Sequence, residues 1–236
     1  MRMTSDLTAA GKTVTYWPDR NRTYRGRTSV SDGAIKVDIF YDYGCPYVHA
    51  AAVWIDRVKA ELGDRLHVNW RYFPLEQVNS DEGPDWKLWE QPADYKSRGR
   101  DAFHAAIAAR NQGEDAFERF HLALLHAKHV EGKEHSRRAT LLEAAEAAKL
   151  DLARFERDLD DRSLLGKIGS DFEEGREQHG VFGTPTFVFP NGSSAYIKMR
   201  PAAPQEEAVA VFEEFVGTVQ GRPYIAEIKR PSKPSS

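Results

Sequence analysis

The chain contains a single cysteine, Cys45, and its neighbours make it the side chain best placed to do chemistry. Ahead of it, Val37-Asp38-Ile39-Phe40-Tyr41 reads as a strand, Gly44 as a bend and Pro46 as the first residue of a helix. A thiol at a helix N-terminus faces unpaired backbone N–H groups and the positive end of the helix dipole, which favour the nucleophilic thiolate. Far along the chain, Gly183-Thr184-Pro185-Thr186-Phe187 puts a proline at the mouth of another strand. The position three after Cys45 is Val48, so a resolving thiol is absent. A mixed disulfide on Cys45 must then be resolved by an external thiol or by the substrate's own second cysteine.

Other candidates are weaker. His49 lies one helical turn after Cys45, where an imidazolium could support a thiolate. Its helical angle opposes the Tyr47/Trp54/Val58 stripe, which favours a solvated histidine. His121, His126, His129 and His135 invite a metal reading, but only His126 and His129 share helical spacing and no carboxylate completes a set, so no metal site is expected. Lys167, Arg176 and Arg200 could meet an anionic thiol, although solvated charges are the simpler reading.

These residues need elements to position them. After Pro46, Tyr47, Ala51, Trp54, Val58 and Leu62 recur at helical spacing, and Gly63 ends the run. Leu66, Val68, Trp70 and Tyr72 alternate with His67, Asn69 and Arg71, a half-buried strand stopped by Pro74. The β-α-β order makes the two strands parallel. From about 79 to 180 the pattern is helical, with stretches at 101–111, 117–125, 141–150, 152–159 and 163–178. Thr186 to Phe189 returns to strand, Pro190-Asn191-Gly192 is a turn, and Ala195 to Met199 completes a hairpin. Pro204 opens a last helix with Val209, Phe212, Phe215, Val216 and Val219 inward. Thr13 to Trp17 could add an edge strand, and the Pro/Lys/Ser-rich tail from Lys229 is expected to lack structure.

Composition sets bounds. With 236 residues, 41% hydrophobic and 29% charged, the chain has ample material for a core. A net charge of −3 argues against a nucleic-acid binder. The basic cluster from Arg20 to Arg27 is best read as a solvated leader. No apolar run approaches the ~18 residues of a membrane span, and Met1 to Asp6 lacks a signal-peptide core, so no membrane association and a cytoplasmic location are expected. One cysteine cannot form an internal disulfide.

Asp42-Tyr43-Gly44-Cys45-Pro46-Tyr47, together with His179-Gly180-Val181-Phe182-Gly183-Thr184-Pro185-Thr186-Phe187-Val188, resembles the DsbA-like thioredoxin superfamily. The FrnE-type oxidoreductases, 2-hydroxychromene-2-carboxylate isomerases and kappa-class glutathione transferases are the nearest look-alikes. The resemblance covers roughly residues 37–220. It implies an α/β, thioredoxin-like fold with a large α-helical insertion: residues 35–78 and 181–222 as the thioredoxin-like domain and 79–180 as the inserted helical domain. Residues 1–34 would be a partly ordered extension and 223–236 a tail. It also implies a cis Pro185 beside Cys45, with the Thr184 backbone turned outward to pair with a peptide or thiol.

The redox branch normally carries two cysteines and the isomerase and transferase branch a serine; Cys45-Pro46-Tyr47-Val48 stands between them. The leading expectation is a monothiol thiol–disulfide oxidoreductase with Cys45 catalytic. Pro46, Tyr47, Thr184, Pro185, Asp42 and His49 would line its substrate or thiol site. Asp42 and Tyr47 would orient a ligand, or serve as a turn carboxylate and a core aromatic. No cofactor is expected to be tightly bound; glutathione or another low-molecular-weight thiol would be co-substrate, and a small thiol or protein disulfide the partner. The oligomeric state, monomer or homodimer, stays open. A glutathione-dependent transferase or isomerase, with Trp86, Trp89, Phe103 and Phe117 as its apolar wall, and a non-catalytic peptide-binding module are the alternatives.

Overall fold

The computed structural model describes residues 33–231. The anticipated Thr13–Trp17 strand, the Arg20–Arg27 cluster and the end of the tail lie outside them. Strand β1 (Ile35–Tyr41) leads into helix α1 (Pro46–Leu62), and β2 (Leu66–Tyr72) follows. Pro46 opens α1 because its missing N–H costs nothing in the first turn. Gly63, at φ 53°, ends it by adopting a backbone that side chains resist. β1 and β2 pair in parallel from Ile35 against Leu66 to Tyr41 against Tyr72.

The helices that follow β2 are α2 (Leu75–Val78), α3 (Arg100–Arg110), α4 (Glu114–His129), α5 (Arg138–Ala147), α6 (Leu152–Asp160) and α7 (Gly166–His179). Then β3 (Thr186–Val188) returns antiparallel to β1, β4 (Ser194–Tyr196) pairs with β3, and α8 (Ala208–Gly221) closes the fold. The sheet order is β2-β1-β3-β4. β4 stops three residues short of the anticipated Met199. Among the described residues no helix is long and apolar enough to cross a membrane.

Neighbouring residues of a strand point to opposite faces, so the central strands are covered on both sides. On one face Phe187, paired with Ile39, meets Trp54 of α1, whose indole N–H donates to Ala208 O at 2.9 Å. On the other, Phe40 packs beneath Gly175 of α7. Arg71, one of the polar alternates of β2, is buried. Its guanidinium lies 2.9 Å from Asp38 Oδ2 and from Asp171 Oδ1 and also pairs with Glu174, so the charge enters with its partners.

Candidate active site

Cys45 is the N-cap of α1, with extended backbone (φ −84°, ψ 117°) and no carboxylate in the following turn. Its N–H donates to Asp42 O at 3.1 Å, which closes the bend through Tyr43 and Gly44. The Thr184–Pro185 peptide bond is cis, and Thr184 O accepts a hydrogen bond from Cys45 Sγ at 3.2 Å. Two stretches separated by the whole helical segment therefore meet at the sulfur. Cys45 is 7% exposed, while its neighbours Gly44 and Pro46 are open to solvent. Val48, at the resolving position, is fully buried and faces the core.

The bend is clamped from several sides. Both carboxylate oxygens of Asp42 are occupied by backbone: Oδ1 accepts from Gly44 N at 2.6 Å and Oδ2 from Leu75 N at 2.7 Å. Burial pushes the Asp42 carboxyl above its usual range, against the pull of those two N–H groups. Asp42 thus acts as the turn carboxylate, tying the bend to the start of α2. Tyr43 is fully buried, edge-on to Tyr41 at 5.1 Å, and its hydroxyl lies 3.2 Å from His121 Nδ1. Its carbonyl is 2.8 Å from His129 Nε2. A carbonyl only accepts, so Nε2 of His129 carries the proton there.

Of the other anticipated residues, Tyr47 is half-buried beneath Lys198, 5.4 Å from ring centroid to Nζ. His49 is not a free surface histidine. It is partly buried and stacks on His129 at 5.6 Å, and burial, followed by His129 and His126, lowers its pKa. Pro185 is buried, and its carbonyl accepts from Ile197 N at 3.3 Å.

The proposed apolar wall does not line this site. Phe103 and Phe117 are core residues with no exposure, Trp89 packs on Phe172, and Trp86 meets Tyr95. An open depression lined by Tyr72, Ile107, Arg110, Ser163 and Lys167 includes, of the residues considered above, only Lys167, and neither Cys45 nor Pro185. Lys167 pairs with Asp171, and Arg176 reaches Val181 O; Arg200 is exposed. Among the described residues no group of three or more His, Cys, Asp or Glu could hold a metal ion.

Sequence reasoning missed Tyr43, His121 and His129 as positioning residues. No spacing in the sequence links either histidine to Tyr43, 78 and 86 residues earlier.

A chain-reversing sheet with a cysteine capping its first helix, beside a cis-proline turn, defines a thioredoxin-like protein. The family model for the DSBA-like thioredoxin domain matches residues 36–211, and the chain belongs to that family.

The uncharacterized protein Rv2286c of Mycobacterium tuberculosis is 28% identical over 84% of this chain and 83% of its own. The antiporter NhaA 1 of Mycolicibacterium vanbaalenii is 30% identical over 74% of this chain, which spans only 24% of that protein. Among solved structures, a 2-hydroxychromene-2-carboxylate isomerase superposes with a TM-score of 0.58 at 14% identity, covering 82% of this chain and all of that one. The cytosolic disulfide reductase DsbM of Pseudomonas aeruginosa gives 0.53 at 17% identity, covering 77% and 98%. At those identities the likeness is one of fold, and it spans both oxidoreductases and an isomerase.

Proposed function

We propose that the protein is a monothiol thiol–disulfide oxidoreductase, with Cys45 as its nucleophile. The observation that carries the reading is the placement of the single thiol at the head of α1, its sulfur 3.2 Å from the carbonyl oxygen that precedes Pro185, with buried Val48 where a resolving thiol would stand.

The Cys45 thiolate attacks one sulfur of a disulfide. A Cys45–sulfur bond forms, the substrate S–S bond breaks, and the departing thiolate takes a proton from water. A second thiol, such as glutathione, then gives its proton to solvent and attacks the outer sulfur of the mixed disulfide. Cys45 leaves as thiolate and a new disulfide departs, so electrons pass between the two substrates. Asp42, Tyr43 and His129 hold the bend and do not touch the reacting atoms. Thr184 and Pro185 would line the acceptor side, with Pro46 and Tyr47 at the rim.

Intact mass after incubation with oxidised glutathione tests this. The expected result is one adduct on the wild type, removed by excess thiol and absent from Cys45→Ser. No adduct on the wild type would sink the proposal. Val48→Cys puts a thiol at the buried resolving position and should raise dithiol oxidation; an unchanged rate would mean that the surroundings do not support exchange. A Cys45→Ser variant that retained conjugating or isomerising activity would favour the glutathione-dependent alternative.

A further inference from the structure

Beside the thiol lies a group of side chains that exchange at sulfur does not itself require. Lys198 follows β4 and is exposed, and its Nζ stands 5.4 Å from the Tyr47 ring centroid and 5.6 Å from that of Tyr196. Phe182, a large apolar side chain 63% exposed, meets Tyr196 edge-on at 5.1 Å. Tyr196 in turn lies 3.4 Å from where a Cβ on Gly183 would be, so these rings adjoin the Gly183-Thr184-Pro185 turn. Tyr47 is two residues beyond Cys45. The Ile197 N–H bond to Pro185 O ties the backbone before Lys198 to the same turn. Neither Lys198 nor the nearby Arg200 forms an ion pair with a described residue.

Two aromatic faces under one ammonium restrict where that charge can sit. The whole chain carries −3, so an anion approaching it meets an unfavourable overall field that only local cations offset. Cys45 is only 7% exposed, which suits a small reactant better than a folded one. Resting on the thiol-exchange reading, we propose that Lys198 is a specificity-determining residue that holds the carboxylate of a small acidic disulfide. Phe182 and Tyr196 flank the carbon chain between that carboxylate and the sulfur that Cys45 attacks. The chemistry is the exchange already described: the acid-bearing sulfur becomes bonded to Cys45 and its partner leaves as thiolate.

Three small disulfides test the assignment: dithiodipropionate (anionic), bis(2-hydroxyethyl) disulfide (neutral) and cystamine (cationic). Adduct formation on Cys45 is followed by intact mass for the wild type, Lys198→Gln and Lys198→Glu, and each variant rate is divided by the wild-type rate for the same probe. The anionic probe should slow about three- to five-fold in Lys198→Gln and further in Lys198→Glu, the neutral probe should hold, and the cationic probe should quicken in Lys198→Glu. The differences should shrink at about 0.5 M salt. Lys36→Gln, the same charge change at the opposite end of β1, should leave all three rates alone. Equal ratios for the three probes, or a Lys36→Gln effect as large as that of Lys198→Gln, would overturn the role of Lys198 while leaving exchange at Cys45 standing. No adduct with any probe would remove both readings.

Discussion

Cys45 and Thr184 meet through a backbone carbonyl, not through a side chain. The sulfur donates to Thr184 O, while the Thr184 hydroxyl, buried in the same turn, has no hydrogen-bond partner among the described residues. An unpaired buried hydroxyl costs about 1–3 kcal/mol, and a branched methyl of the same shape avoids that cost. Thr184→Val should therefore leave stability unchanged or raise it by about 1 kcal/mol, read as the urea midpoint. A loss above about 1 kcal/mol would show that the hydroxyl is paired in solution. If adduct formation at Cys45 fell while stability held, the hydroxyl would belong to the bound substrate.

At the scale of elements, α7 lies close enough to β1 for side chains to be excluded from the contact. A Cβ on Gly175 would sit 2.6 Å from Phe40 Cε1, and one on Gly169 would sit 2.5 Å from the Trp89 indole nitrogen. Phe40 has no exposure and cannot swing aside, so the added methyl must displace the helix or the strand that leads to Cys45. Alanine improves helix propensity by about 1 kcal/mol over glycine, whereas overpacking costs about 1–3 kcal/mol, so steric strain should win. Gly175→Ala is expected to lower the denaturation midpoint; an increase would mean that the α7–β1 contact is looser than described. The same helix brings Asp171 and Glu174 to Arg71. A positive charge on the second strand is therefore matched by carboxylates about a hundred residues later, which strand alternation alone could not reveal.

Over the whole molecule, His49, His104, His121, His129 and His135 all have pKa values lowered in the fold, with burial the first cause in each. His121 is the extreme case, held well below its ordinary value by burial and Arg110, and His135 is brought down to about 4. A lowered folded pKa means that, as pH falls through the unfolded value near 6.5, the unfolded chain takes up protons that the folded one resists. Stability should therefore decline from about pH 7 to pH 5. Asp42, raised by burial, acts in the opposite direction as one group against five. Urea midpoints that stayed level or rose over that interval would contradict the neutral burial of these histidines.

Cys45-Pro46 and Gly183-Thr184-Pro185, with the strand and helix periods around them, were enough to indicate the family's fold. Hydrophobic spacing and the limits of glycine and proline backbones are local properties, written in order along the chain. The clamp on the bend was not legible, because it joins Tyr43 to His121 and His129, and neither histidine announces its partner. The burial of Arg71 was not legible for the same reason, since its carboxylates come from β1 and α7. Lys198 over Tyr47 and Tyr196 is likewise a meeting of distant residues. Local pattern named the elements and the reactive sulfur; only packing, where residues far apart exclude water together, decided what surrounds it.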